Sequence, residues 1–157
     1  MFRHAERLSS GQTNPPLSAR GLEQARQIAE DLSLGLFPAP TKIFSSPKIR
    51  AQQTFLPLSQ QSGLELQVHL DLDERQSNES ASKFDRRVQN FLKHLEKQNG
   101  VVYLVTHLDW IETALQLIPS DAIFNSSGML SWAPAQSAEF ELQEQFWLFL
   151  KLRTSSK

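Results

Sequence analysis

Met1-Phe2-Arg3-His4-Ala5-Glu6-Arg7 opens the chain. An arginine beside a histidine is a common surface pair, so its weight comes from three later stretches. Ser46-Pro47-Lys48-Ile49-Arg50-Ala51-Gln52-Gln53-Thr54 places a second arginine at a helix entry. Leu72-Asp73-Glu74-Arg75 places a carboxylate after a short apolar run. Val101-Val102-Tyr103-Leu104-Val105-Thr106-His107 ends a buried-type strand in a second histidine. Two arginines, two histidines and one carboxylate are the groups that phosphoryl transfer through a histidine nucleophile requires.

Outward from these stretches, strand and helix patterns alternate. Leu8–Pro16 is rich in Ser, Gly, Asn and Pro and reads as a loop. Ser18 suits an N-cap, and Leu22, Ala25, Ile28, Ala29 and Leu32 recur at helical spacing over Gly21–Leu34, with Gly35 closing the helix. Thr41–Ser45 is a short strand, followed by a helix with Pro47 in its first turn and Pro57 expected to kink or end it. Leu64–Leu72 alternates as a strand, and Gln76–Ser82 reads as a mobile polar loop beside Glu74. Phe84, Val88, Phe91, Leu92 and Leu95 make an amphipathic helix that ends near Asn99-Gly100. Val101–Val105, apolar throughout, suits a strand covered on both faces of a largely parallel sheet. A helix over Asp109–Ile118 stops at Pro119, and strands follow at Met129–Trp132, Ala138–Leu142 and Phe146–Leu152, the last two joined by a tight turn at Gln143-Glu144-Gln145. The pattern predicts an α/β fold, with ligands beyond the carboxyl ends of the strands, where Arg3-His4, Arg50 and His107 all fall.

Composition bounds the reading. The 157 residues suit one domain spanning 1–157, and the net charge of −1 argues against general nucleic-acid or anionic-membrane binding. Without cysteine there can be no disulfide and no thiolate metal site. The longest apolar runs, Val101–Val105 and Phe146–Leu150, are too short to cross a bilayer, and no apolar segment follows the charged N-terminus as in a signal peptide. The expectation is a cytoplasmic enzyme; oligomeric state is left open.

The ordered motifs resemble the histidine phosphatase superfamily, the phosphoglycerate-mutase-like enzymes. Arg3-His4-Ala5-Glu6 is similar to its opening motif. Pro16-Leu17-Ser18-Ala19-Arg20-Gly21-Leu22-Glu23-Gln24-Ala25 is similar to its first helix entry, and Ser46 to Thr54 to its Ser-Pro-x-x-Arg-Ala-x-Gln-Thr segment. The resemblance implies a three-layer α/β/α fold around a mostly parallel sheet. It also implies a phosphohistidine intermediate on His4. Arg3 and Arg50 would clamp the phosphoryl oxygens, with His107 as a further donor and Glu74 as general acid and then base. No metal or cofactor is implied. Glu79, or no carboxylate at all, competes with Glu74 for the acid role. His69 and His94 match no motif, and Gly21, Gln24 and Ala25 read as packing and helix-entry residues.

The short span between Arg50 and His107 leaves no room for a substrate-enclosing cap, and His107 is followed by Leu108 where glycine is more usual. In size and pattern the chain is similar to the small bacterial signal-inhibitory phosphohistidine phosphatases, although Leu72-Asp73-Glu74-Arg75 resembles the acid-bearing motif of mutases and sugar phosphatases. The expectation is a phosphatase acting on a phosphorylated small molecule or phosphoprotein. The alternatives are an inactive member that binds phosphate or a partner, and a mutase-type phosphotransferase. A metallohydrolase using His4, Glu6, His107 and Asp109 fits no familiar ligand spacing. Only Met1 and Phe2 precede Arg3, so the first strand is expected to be truncated, with β-forming residues upstream in a longer natural product.

Overall fold

A computed structural model describes residues 1–120, 132–144 and 146–153. In chain order these form β1 (Phe2–Arg3), α1 (Ala19–Ser33), β2 (Lys42–Ser45), α2 (Ile49–Ser62) and β3 (Leu66–Val68). There follow α3 (Ala81–Leu95), β4 (Val102–Thr106), α4 (Leu108–Leu117), β5 (Ser137–Gln143) and β6 (Phe146–Arg153). One mixed sheet results, ordered β3-β2-β4-β1-β5-β6. Its first four strands run parallel, and β5 and β6 add an antiparallel wing.

The strands without a polar face become the middle of three layers. Along β4, Tyr103 and Val105 join Phe2, Ile43, Ala25, Ile28, Phe55 and Leu58 in a core under α1 and α2. Leu104, on the opposite face, joins Phe44, Phe84, Val88, Phe91, Trp110 and Ile111 under α3 and α4. This period-two division of one apolar run between two cores is what a doubly covered strand requires. The short β1 is paired on both sides: Phe2 and Arg3 face Val105 and Thr106 of β4, and Phe2 also faces Ser137 of β5. The Met1 amino group extends the β5 pairing by donating to Ala138 O at 2.7 Å.

Local chemistry explains the boundaries and four departures from the sequence reading. Ser18 caps α1 by accepting from Gly21 N at 3.0 Å, and Gly35 follows the helix with φ of 69°. Pro57 does not end α2, which continues to Ser62 and closes at Gly63 with φ of 71°. Ala51, Phe55 and Leu58 bury one face of α2 on both sides of the proline, and that packing outweighs one lost hydrogen bond.

The Leu64–Leu72 strand is confined to Leu66–Val68, and Leu70–Leu72 forms a 3₁₀ turn. There Leu72 enters the core and its carbonyl accepts from Thr106 Oγ1 at 2.7 Å. The polar stretch after Glu74 is tied down, where a mobile loop was expected. Arg87 of α3 donates to Asp71 O, Asp73 O and Glu74 O at 3.0, 2.8 and 3.2 Å, and grips both Glu79 oxygens. Finally, Trp132 lies outside any strand, while residues 129–131 of the expected Met129–Trp132 strand fall outside the described residues. The hairpin at the C-terminal end is present, pairing Ser137–Gln143 with Phe146–Arg153; position 145 of its turn also falls outside. No described helix is long and apolar enough to cross a membrane.

Candidate active site

The parallel strands deliver their following residues to one edge of the sheet. His4 follows β1, Ser46 follows β2 and His107 follows β4, while the turn after β3 leads to Asp73 and Glu74. Backbone bonds fix the levels: His4 N donates to Thr106 O at 2.9 Å and Ser46 N to Val105 O at 3.0 Å. Arg50 enters from the first turn of α2. Thr54, one turn further, donates to Arg50 O at 2.7 Å and accepts from Ala5 N at 2.9 Å, tying α2 to the loop after His4.

That loop is held from the other side by α1. Ser18 N donates to Glu6 O, Ser18 Oγ donates to Glu6 Oε1 at 2.7 Å, and Glu6 N donates to Gln24 Oε1 at 2.9 Å. Gly21 packs so closely that a Cβ there would lie 2.0 Å from Glu6 O. Gly21 and Gln24 thus act as the helix-entry and packing residues the sequence suggested.

Arg3, His4, Arg50, Glu74 and His107 line one cavity of about 350 Å³, together with Glu6, Arg7, Leu108, Asp109, Glu112 and Pro134. A larger cavity of about 680 Å³, lined by Met1, Phe37, Tyr103, Glu139 and Arg153 among others, contains none of the five. His4, Arg50 and His107 are 6%, 1% and 2% exposed, so each is removed from bulk water. His4 Nδ1–H donates to Ala5 O at 2.7 Å, which leaves Nε2 as the ring's lone-pair nitrogen. Burial outweighs the Ala5 bond and, aided by the Arg50 and Arg3 charges, lowers the His4 pKa to about 4. The His107 ring stands 5.1 Å from that of His4, centroid to centroid, and its pKa is strongly lowered by burial and by the His4, Arg50 and Lys48 charges. Both imidazoles are therefore neutral at pH 7.

Arg50 is the hub. Its Nε donates to His4 Nε2 at 3.3 Å, and its Nη2 pairs with Glu74 Oε2 while lying 3.3 Å from His107 Nδ1. Its Nη1 is buried with no partner among the described residues, as is Arg3 Nε. Arg3 Nη1 donates to Trp132 O. Buried guanidinium N–H groups without acceptors are costly unless an anion completes them. Burial alone would raise the Glu74 pKa, but the Arg50 hydrogen bond and charge, with Lys48 at 3.5 Å, hold it below its usual value.

Glu79 stands apart, engaged by Arg87, and does not line the cavity. Glu6 and Asp109 are committed as well, Asp109 accepting from Arg75 N at 2.7 Å and Trp110 N at 2.8 Å. No three His, Asp or Glu side chains among the described residues are placed to share a metal ion. His69 packs against Phe91, and His94 against Phe91 and Phe44, and neither lines the cavity.

Sequence reasoning passed over Ser46, Lys48 and Arg7. Ser46 Oγ lies 2.7 Å from His107 Nε2, and Lys48 Nζ approaches Asp73 at 3.7 Å as well as Glu74. The available signal was position: Ser46 follows β2 just as His4 and His107 follow their strands.

The family description "Histidine phosphatase superfamily (branch 1)" matches residues 1–79. No curated protein matches the chain. Among solved structures, the protein histidine phosphatase SixA complexed with tungstate is similar with a TM-score of 0.76 at 18% identity, covering 98% of this chain and 94% of that one. The putative phosphohistidine phosphatase SixA from Agrobacterium tumefaciens gives 0.70 at 18%, covering 99% and 96%. Phosphoserine phosphatase from Entamoeba histolytica, in complex with 3-phosphoglyceric acid, gives 0.72 at 14%, covering 98% and 94%. At such identities the likeness is one of fold.

Proposed function

The chain belongs to the histidine phosphatase superfamily, and we propose that it is a phosphatase hydrolysing a phosphomonoester or phosphohistidine through a phosphohistidine on His4. The observation that carries this reading is the pairing of a neutral His4, its Nδ1 held by Ala5 O, with buried Arg3 and Arg50 N–H groups that find no acceptor among the described residues. A phosphoryl group between them would complete the arginines and face the His4 lone pair.

In the first step His4 Nε2 bonds to phosphorus as the bond to the leaving oxygen breaks. Arg3 and Arg50 hold the equatorial oxygens, and His107 Nδ1, on the same side of Arg50, donates to one of them. Glu74 is ionised before substrate enters because Arg50 and Lys48 face it. An entering phosphoryl dianion takes over Arg50 and brings negative charge beside Glu74, and both changes raise its proton affinity. Glu74 then carries the proton that the leaving oxygen needs, and as carboxylate takes one from the water that hydrolyses the phosphohistidine. The cavity has no covering segment among the described residues between Arg50 and His107, which suits a phosphoryl group displayed on a larger molecule.

The test is incubation with a ³²P-labelled phosphomonoester or phosphohistidine peptide, followed by denaturation. Label on His4 that is acid-labile and base-stable, together with metal-independent turnover in chelator, is expected. Turnover without such label would overturn the covalent route.

A further inference from the structure

Ser46 Oγ is fully buried and has two neighbours. It accepts from Lys48 N at 3.2 Å and lies 2.7 Å from His107 Nε2. A hydroxyl has one proton and two lone pairs, and with Lys48 N occupying a lone pair the proton must find an acceptor. Among the described residues the only acceptor within reach is His107 Nε2. Were Nε2 protonated instead, the Ser46 proton would be stranded in a site without water access, a costly arrangement.

The opposite side of the ring carries a competing contact. His107 Nδ1 lies 3.3 Å from Arg50 Nη2 and 3.9 Å from Glu74 Oε2, and Arg50 Nη2 itself donates to that oxygen. The guanidinium has no lone pair, so at 3.3 Å it competes with Ser46 for the one lone pair of a neutral ring. Arg50 Nη2 already donates to Glu74 Oε2 while Ser46 has no other acceptor among the described residues, so the ring proton falls to Nδ1. A phosphoryl group that takes over Arg50 removes the competition.

We propose that Ser46 is a positioning residue: by donating its hydroxyl proton to His107 Nε2, it fixes the ring as the Nδ1–H tautomer that faces the phosphoryl group. The assignment rests on the reading of His107 as a phosphoryl donor. A ring with its proton on Nε2 would turn a lone pair toward the anion, and the nitrogen that carries the proton is set by the bond the other nitrogen makes.

The experiment is ring-¹⁵N histidine NMR on the full chain, free and with tungstate as the anion probe. Wild-type His107 is expected to show a protonated Nδ1 and an unprotonated Nε2 in both states. Ser46→Ala should move proton density to Nε2 and weaken tungstate binding and kcat by roughly 10–100-fold, the loss of one buried hydrogen bond. Ser46→Thr, which keeps a hydroxyl, should retain the Nδ1–H signature. A wild-type proton on Nε2, or Ser46→Ala with unchanged tautomer and affinity, overturns the proposal. Should Ser46→Ala fail to fold, the wild-type spectrum decides alone. Failure of the covalent mechanism is read separately, as absence of label on His4, and leaves the spectra as expected.

Discussion

His4 donates its backbone N–H to the carbonyl of Thr106 at 2.9 Å, so the two histidines leave neighbouring parallel strands at one level. No loop intervenes between the sheet and either ring, and the His4–His107 separation is set by strand pairing. His4 holds its Nδ1 on Ala5 O and so presents Nε2 as a lone pair, with Arg50 Nε beside it and Arg3 in the same cavity. His4→Ala is therefore expected to abolish labelling and reduce turnover by at least about 10³-fold. Thermal melting and labelling of the same preparation check it; near-wild-type activity in the variant refutes the nucleophile assignment.

Glu74 is expected to matter in proportion to how poor the leaving group is. Glu74→Gln should slow alkyl phosphates by about 10²–10⁴-fold, the usual worth of a general acid, and p-nitrophenyl phosphate far less. Glu79→Gln should slow both substrates equally, since Glu79 is engaged by Arg87 outside the cavity. Steady-state rates on the two substrates decide; a selective loss in Glu79→Gln would transfer the role.

The two-core sheet and the placement of His4, Arg50 and His107 were legible because each leaves its signal within a short window. Val101–Val105 is apolar at every position, and the histidine stands directly after it. Thr54 and Gln24 lie in motifs at helical offsets, so their faces could be read, but their partners on the His4 loop are long-range and leave no periodic trace. The same holds for Arg87, which on sequence is one charge on a solvated face and in three dimensions binds four carbonyls, those of Leu70, Asp71, Asp73 and Glu74. Pro57 misled because local propensity weighs a lost hydrogen bond and cannot weigh the buried Phe55 and Leu58 on either side.

Stability should fall between neutral pH and pH 5. His4 is held at about 4, and His107 is lowered too, while in the unfolded chain both take protons near 6.5. As pH falls through 6.5 the unfolded state binds protons the folded state refuses, so folding free energy declines by about 1.4 kcal/mol per pH unit for each proton. The effect is fully absent above the unfolded value. Urea unfolding at pH 7 and 5 measures it, and His4→Gln should have a visibly flatter slope. Equal slopes in the two proteins would show that His4 is not buried as a neutral ring.

Gly21→Ala should be costly although it sits in a helix, where alanine is ordinarily favoured. The new Cβ would lie 2.0 Å from the carbonyl oxygen of Glu6, a backbone atom held by Ser18 N. Relief requires α1 to move off the loop that follows His4, so a loss of roughly 1–3 kcal/mol should come with reduced kcat. Unfolding midpoints and turnover measured together test it; an unchanged midpoint would mean that α1 is not packed this closely.

Arg87 offers the sharpest separation of stability from chemistry. It does not itself line the cavity, yet its guanidinium binds the carbonyls of Asp71, Asp73 and Glu74 and both oxygens of Glu79. These bonds set the path of the backbone that carries the Glu74 carboxylate to Arg50. Arg87→Met keeps an apolar stem but removes the fork and the guanidinium carbon that stands 4.8 Å from the Phe84 ring centroid, which should cost about 2–3 kcal/mol, chiefly through lost charge-assisted bonds. With Glu74 no longer held, alkyl phosphate turnover should fall toward that of Glu74→Gln, while labelling of His4 by p-nitrophenyl phosphate persists. Combining Arg87→Met with Glu74→Gln should then add little further loss on alkyl phosphates, as expected of two residues acting through one group. Fully additive losses in that double variant would place the effect of Arg87 elsewhere than on Glu74.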